Sequence, residues 1–185
     1  MAHGTRDPAS LRALAHPTRI ALLEVLRVHS PLTATEAGEL IGVSPTNCAF
    51  HLRALARFGF VEEAGAGPGR RRPWRATEAP AAFSDVQPDE ETAAAARALS
   101  DVLISHWLGR TAAVQAVRDQ QPPAWREVLG GSQTVAHATV AEVRAMVADI
   151  REVLGRYDDR LLDPSLRPED SQPVELLLFA QPYAP

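Results

Sequence analysis

Two short helical segments lie close together in the first third of the chain, with only a three-residue turn between them. Thr33 and Glu36 have the spacing of a capping box at the start of the first segment, and Gly42 is suited to end it. The second segment follows Ser44, a favourable N-cap residue, and starts at Pro45, whose missing N–H costs nothing there. Two capped helices joined through so short a turn predict a helix-turn-helix arrangement.

The helical repeat divides the side chains of this pair into an inner and an outer face. Small and apolar side chains share the predicted inner face: Ala37, Leu40, Ile41, Val43, Cys48, Leu52 and Leu55. A second set on the second segment, which closes at Gly59, is predicted to face outwards: Thr46, Asn47, Phe50, Arg53 and Arg57. The pair therefore predicts one packed side and one side available to a partner.

The sequences on both sides of the pair extend the pattern. Upstream, Pro17 divides an apolar helical run into a short helix and a longer one. Downstream, FVEE and RRPWRAT are typical of strands and flank a glycine-rich stretch, which predicts a β-hairpin. Four arginines are concentrated on this arm: Arg70, Arg71, Arg72 and Arg75. A hairpin directly after the helix pair predicts a winged helix-turn-helix.

Charge is distributed unevenly along the chain. Residues 1–78 carry ten Arg against seven Asp or Glu, whereas residues 79–185 carry nine Arg against sixteen acidic residues. A basic first part and an acidic second part indicate two separate tasks. The only cysteine, Cys48, excludes an internal disulfide, and its position on the inner face favours a buried apolar role over a redox switch.

Several classes of protein are not expected from this sequence. Its beginning lacks the charged-then-apolar pattern of a signal peptide, and no apolar run approaches the roughly 20 residues that span a bilayer. A cytoplasmic chain with no membrane partner is therefore expected. No nucleophile–base pair, phosphate-binding loop or metal cluster is evident, so neither catalysis nor a cofactor is expected.

The second part of the chain predicts a further, mainly helical region. Residues 89–121 have the pattern of one long helix, and Pro122 and Pro123 follow it. Its broad apolar face predicts a dimer core: Leu99, Val102, Leu103, His106, Trp107, Val114 and Val117. Further on, two predicted strands, at 134–139 and 174–180, enclose a capped helix that begins after Thr139.

The predicted fold class is therefore α+β and mainly helical. A winged helix-turn-helix domain occupies residues 8–78, and a linker covers 79–91. Residues 92–185 hold the long dimerisation helix and a small β-α-β unit, with a possible effector site. A loop is expected between the helix and the second strand of that unit.

The segments LRALAHPTRIALLEVL and ATEAGELIGVSPTNCAFHLRALARFGFVEE, followed by the Gly/Arg hairpin, resemble winged helix-turn-helix regulators of the ArsR type. The resemblance covers about residues 8–78. It implies a homodimer that binds a pseudo-palindromic operator in double-stranded DNA, with the second helix of the pair in the major groove. The metal-sensing members carry a Cys-x-Cys motif where this chain has LTATEAGEL, and His106 and His137 stand alone here. No metal site is therefore expected.

Eleven residues are predicted to contact DNA. Ser44, Thr46 and Asn47, near the start of the second helix, are suited to base edges or a phosphate. Arg53 and Arg57 are suited to the DNA backbone, and the arginines of the arm, Arg70, Arg71, Arg72 and Arg75, to phosphates or the minor groove. Two further residues have alternatives: Phe50 contacts a thymine methyl or packs under the arm, and His51 bonds a phosphate or packs between helices.

These residues predict a sequence-specific transcriptional regulator, with a homodimeric repressor as the expected form. A small apolar or aromatic effector is expected to bind beside the long helix and to shift the spacing of the two half-sites, provided that it binds the two states with different affinity. The alternative is a winged-helix module that binds a partner protein and not DNA. Phe50, at a position where the family usually has a polar or basic residue, is compatible with that alternative.

Overall fold

The computed structural model describes residues 7–65, 72–77 and 87–183, and helices are the main regular element in them. The chain forms two compact units, Met1–Ala112 and Ala113–Pro185. The regular elements of the first unit are α1 (Pro8–Leu14), α2 (Pro17–His29), α3 (Ala34–Ile41), α4 (Pro45–Ala56), β1 (Val61–Glu63), β2 (Trp74–Ala76) and α5 (Glu90–Ala116), whose last turn passes into the second unit.

Local hydrogen bonds set the start of α2 and both ends of α3 where the sequence predicts them, whereas α4 ends at Ala56, three residues before the predicted Gly59. Pro17 begins α2, and the Nδ1 atom of the preceding His16 accepts a hydrogen bond from the N–H of Thr18. Before α3, the side chain of Glu36 accepts a 2.7 Å hydrogen bond from the N–H of Thr33, which completes the predicted capping box. Gly42 ends α3 with a φ of 69°, a left-handed conformation that glycine adopts without steric cost.

The two strands predicted downstream of the helix pair are confirmed. They pair antiparallel, with Glu62 opposite Arg75. An isolated bridge adds Leu32 to the same sheet, because the Trp74 N–H donates to the Leu32 carbonyl at 2.7 Å and the reverse bond is 3.0 Å. Arg70 and Arg71 lie outside the described residues.

One hydrophobic core joins these elements. Its fully buried members come from several helices, from β1 and from the residue before β1: Leu11, Leu22, Leu26, Ala37, Cys48, Leu52, Leu55, Phe60 and Val61. The first half of α5 belongs to the same core through Ala95, Ala96, Leu99 and Leu103. The sequence assigned this helix to the C-terminal region, whereas here its first half completes the core of the helix pair. Leu40, predicted to be buried, is 52% exposed because it lies on the outer side of α3.

The second unit contains three helices among its described residues, α6 (Pro123–Val128), α7 (Val140–Gly155) and α8 (Asp159–Leu162). Helix α7 confirms the helix predicted after Thr139, including its capping box with Glu142. The long helix is shorter than predicted, since it ends at Ala116 and a 3-10 turn follows at Arg118–Gln120. Helix α8 and a 3-10 turn at Pro164–Leu166 occupy a region predicted to be a loop.

The predicted β-α-β unit is not formed. The described residues 134–139 and 174–180 have no regular structure, so only the helix between them is present. The apolar run at 174–180 has the composition of a strand, but a strand needs a hydrogen-bonded neighbour. Its large side chains are exposed instead of buried, with Leu176 at 62% and Leu178 at 59%. Within the described part of the chain, no helix is both long and apolar enough to cross a membrane.

Candidate nucleic-acid interface

Helix α4 presents one continuous outer face. Thr46, Phe50, Arg53 and Arg57 follow one another at steps of four, three and four residues, which places them on the same side of a helix of 3.6 residues per turn. All four side chains are exposed, and Asn47 is exposed at the edge of the row. The opposite side of α4 is fully buried, so the helix has a fixed orientation.

The start of α4 combines a cap with exposed polar groups. Ser44 is the N-cap residue, and its Oγ accepts a hydrogen bond of 3.4 Å from the N–H of Asn47. Pro45 occupies the first helical position, as predicted. The positive end of the helix dipole and the exposed Thr46 and Asn47 side chains therefore lie together, an arrangement that favours an anionic or polar partner.

The exposed arginines differ in whether they already have an acidic partner. On the sheet, Arg72 forms a 3.1 Å ion pair with Glu63, and Arg75 a 2.7 Å ion pair with Glu62. By contrast, neither Arg53 nor Arg57 forms an ion pair or side-chain hydrogen bond with any residue that the structure describes. Among the arginines that the structure describes on or next to α4 and the two strands, Arg53 and Arg57 therefore carry uncompensated charge.

His51 and Phe50 are adjacent in sequence but have different environments. His51 is only 5% exposed, its ring lies 4.6 Å from that of His16, and its Nδ1 accepts a 3.4 Å hydrogen bond from Arg19. Burial, followed by the nearby His16 and Arg19, lowers the pKa of His51. This environment corresponds to the helix-packing alternative for His51. Phe50 is 57% exposed, and its ring meets that of His51 edge-on.

The turn between α3 and α4 depends on a close approach at Gly38, which the sequence reasoning did not single out. The Val43 N–H donates a 2.9 Å hydrogen bond to the Gly38 carbonyl. A Cβ atom at Gly38 would overlap the carbonyl oxygen of Val43 and lie 3.3 Å from the Cys48 sulfur. The available signal was a glycine inside a helical pattern, which often marks a close backbone approach. Burial raises the pKa of the Cys48 thiol, consistent with the predicted core role.

Glu24 links α2 to α5, and no local sequence pattern indicates this linkage. Its carboxylate accepts hydrogen bonds from His106 at 2.8 Å, from Trp107 at 3.2 Å and from Arg110 at 2.6 Å. Burial alone favours the neutral acid, but the hydrogen bonds from Arg110 and His106 outweigh it and lower the pKa of Glu24. Two residues predicted to lie in a dimer core, His106 and Trp107, are therefore engaged within their own chain.

An open cleft of about 430 Å³ lies next to this linkage, lined by Pro17, Asp101, Val102, Ser105 and His106. Pro17 is the first residue of α2 and the others belong to α5, so the cleft follows the junction of these two helices. Elsewhere in the described ranges, no three His, Cys, Asp or Glu side chains converge in a way that could hold a metal ion.

Comparison with known families agrees with this geometry. Residues 14–64 match the family model of a helix-turn-helix domain, a span that runs from the end of α1 to just beyond β1. No curated protein matches the sequence at a significant level. The chain thus carries an N-terminal helix-turn-helix domain within a mostly helical structure, and a domain of this kind is typical of DNA-binding regulators.

Proposed function

We propose that this protein is a sequence-specific transcriptional regulator of the ArsR-like winged helix-turn-helix kind. In this proposal α4 enters the major groove, while β1 and β2 form the wing beside it. The observation that carries the proposal is the pair Arg53 and Arg57, which project from the outer face of α4 without an acidic partner among the described residues. A DNA phosphate is the partner that such exposed, uncompensated guanidinium groups suit best.

Each part of the face has its own role in this proposal. Thr46 and Asn47 contact base edges near the start of α4, where an asparagine can pair bidentately with adenine. Arg53 and Arg57 hold the phosphates further along the helix, and the exposed Phe50, between Asn47 and Arg53, contacts a thymine methyl. On the wing, Arg72 and Arg75 exchange their glutamate partners for phosphates when DNA is bound.

We further propose a homodimer that acts as a repressor on a pseudo-palindromic operator. Ile104 and Leu108, one turn apart on α5, are 41% and 56% exposed, which supports dimerisation through this helix. In the same proposal the protein is not an enzyme and works in the cytoplasm. A small effector with an apolar body would bind the cleft at the junction of α2 and α5 and change the half-site spacing.

The decisive experiment is binding of the purified chain to its own upstream DNA across a series of salt concentrations. Arg53→Ala with Arg57→Ala is expected to weaken binding and to reduce the slope of log K against log salt by roughly 0.9 per phosphate contact removed. The matched control is Arg12→Ala with Arg97→Ala, two exposed arginines that are already paired with Glu91 and Glu90. Equal losses in the two variants, or no binding of the unaltered protein at low salt, contradict the proposal.

One observation favours a second candidate function, a winged-helix module that binds a partner protein. Phe50 is 57% exposed at the centre of the α4 face, and a large apolar ring there suits a protein surface as well as a thymine methyl. The same salt series separates the two functions. Partner binding that is insensitive to salt, together with no affinity for DNA, supports the module.

A further inference from the structure

Helix α7 carries an exposed apolar stripe with the spacing of a coiled coil, and the Arg160 guanidinium lies 5.1 Å from the ring of its last member, Tyr157. Met146, Ile150, Val153 and Tyr157, called here the α7 stripe, are 44, 39, 49 and 55% exposed. Their steps of four, three and four residues repeat the alternation of the a and d positions through which two helices pack. The backbone at Arg156 is still right-handed helical, with φ −62° and ψ −15°, so the stripe continues to Tyr157.

The α7 stripe is distinct from the side of the helix that its own unit uses. Val143, Val147 and Leu154 lie on the neighbouring side of α7 and are half-buried, whereas every member of the stripe is exposed. No described residue of the second unit falls in the buried class. A unit of this size that buries so little gains substantially from an additional apolar surface.

The charged residues along one edge of the α7 stripe are arranged so that this edge can pair with the same edge of a second copy. Asp149 and Arg156 are both exposed on this edge, and neither forms an ion pair with a described residue. Seven residues separate them, a rise of about 10.5 Å along the helix, so they are too far apart to pair with each other. In an antiparallel pair of identical helices, like edges face each other, which brings each Asp149 near Arg156 of the other copy.

We propose that the α7 stripe is a self-association surface whose occupant is the α7 stripe of a second copy of this chain. The two helices run antiparallel about a two-fold axis near residues 151 and 152. Ile150 packs against Val153 of the second copy, and Met146 against its Tyr157. Two symmetric Asp149–Arg156 ion pairs border these layers and fix the antiparallel register.

This surface is separate from DNA binding and from the dimer proposed through α5. If both surfaces operate, the α7 stripe joins two α5-linked dimers; if only the stripe operates, it forms the dimer itself. Its failure leaves the DNA-binding proposal intact, because none of its residues lies in the helix-turn-helix domain.

Charge reversal in the full-length chain tests both the surface and its register. Asp149→Arg places two arginines opposite each other, and Arg156→Asp places two aspartates opposite each other. Each single variant is expected to associate roughly 10- to 100-fold more weakly than the unaltered chain, because two attractive pairs become repulsive. An equimolar mixture of the two variants restores both attractive pairs and is expected to recover the original mass in sedimentation equilibrium.

Three outcomes overturn the proposal. The first is that either single variant associates as strongly as the unaltered chain, and the second is that the mixture fails to recover the original mass. The third is that the unaltered chain associates no further than a variant carrying Ile150→Asp. Far-ultraviolet circular dichroism of every variant, with the helical signal retained, separates lost association from lost folding. Both reversed residues are exposed, so the helical signal is expected to remain.

Discussion

Gly38 and Gly109 are both helical glycines, and the same substitution is expected to have opposite effects at the two sites. Alanine is favoured over glycine in a helix by about 1 kcal/mol, a gain available at either position. At Gly109 a new Cβ meets no atom within 4 Å, so Gly109→Ala is expected to retain the full gain. At Gly38 the new Cβ overlaps the Val43 carbonyl oxygen, which belongs to the backbone of the turn and cannot rotate away.

The net effect of Gly38→Ala follows from these two terms. Overpacking in a core usually costs about 1–3 kcal/mol, and an overlap with backbone lies at the upper end of that range. After the gain in helix propensity is subtracted, we expect the free energy of unfolding to fall by about 2 kcal/mol. For a unit of this size, that lowers the melting temperature by about 8 °C. Relief of the overlap also moves α4 relative to α3, so weaker DNA binding is expected together with the lost stability.

Thermal and urea unfolding of the two alanine variants, compared with the unaltered chain, measure this difference. Gly109→Ala is expected to have the highest melting temperature, the unaltered chain an intermediate one and Gly38→Ala the lowest. A Gly38→Ala variant at least as stable as the unaltered chain would falsify the close approach on which this reasoning depends. The urea m-value should stay constant, since neither change alters the surface exposed on unfolding.

Three further perturbations test other parts of the first unit. Glu24→Gln is expected to cost about 1–3 kcal/mol in unfolding free energy, with Glu90→Gln, at an exposed ion pair, as the control for stability. Glu24→Gln also removes a stability term that is complete above the ordinary glutamate pKa of 4.5 and lost as the pH falls through the lowered pKa of Glu24. The lowered pKa of His51 means that the unfolded chain takes up a proton first, so stability falls as the pH drops below about 6.5, and His51→Gln should flatten this dependence. Cys48 should react with a thiol reagent only when urea unfolds the chain, and rapid labelling of the native protein refutes its burial.

The sequence predicted the helix pair well because the signals for it are local. The capping box of Thr33 and Glu36 and the left-handed turn at Gly42 depend on residues within a few positions of each other. The bond between Glu24 and Arg110 joins residues 86 positions apart, so no local pattern could indicate it. The apolar run at 174–180 suggested a strand from composition alone, but strand formation depends on a neighbour that composition does not specify.

The sharing of one core between the helix pair and α5 has a consequence for how the chain is made. The residues of α1 to α4 are complete when residue 56 has been synthesised, but Ala95, Leu99 and Leu103 cover the same apolar surface and come about forty residues later. Until then that surface is open to solvent, and a nascent chain stalled in this interval is expected to need protection from aggregation. For the same reason, a fragment that ends at residue 77 lacks part of its own core, so the helix-turn-helix domain is not expected to be stable without the first half of α5.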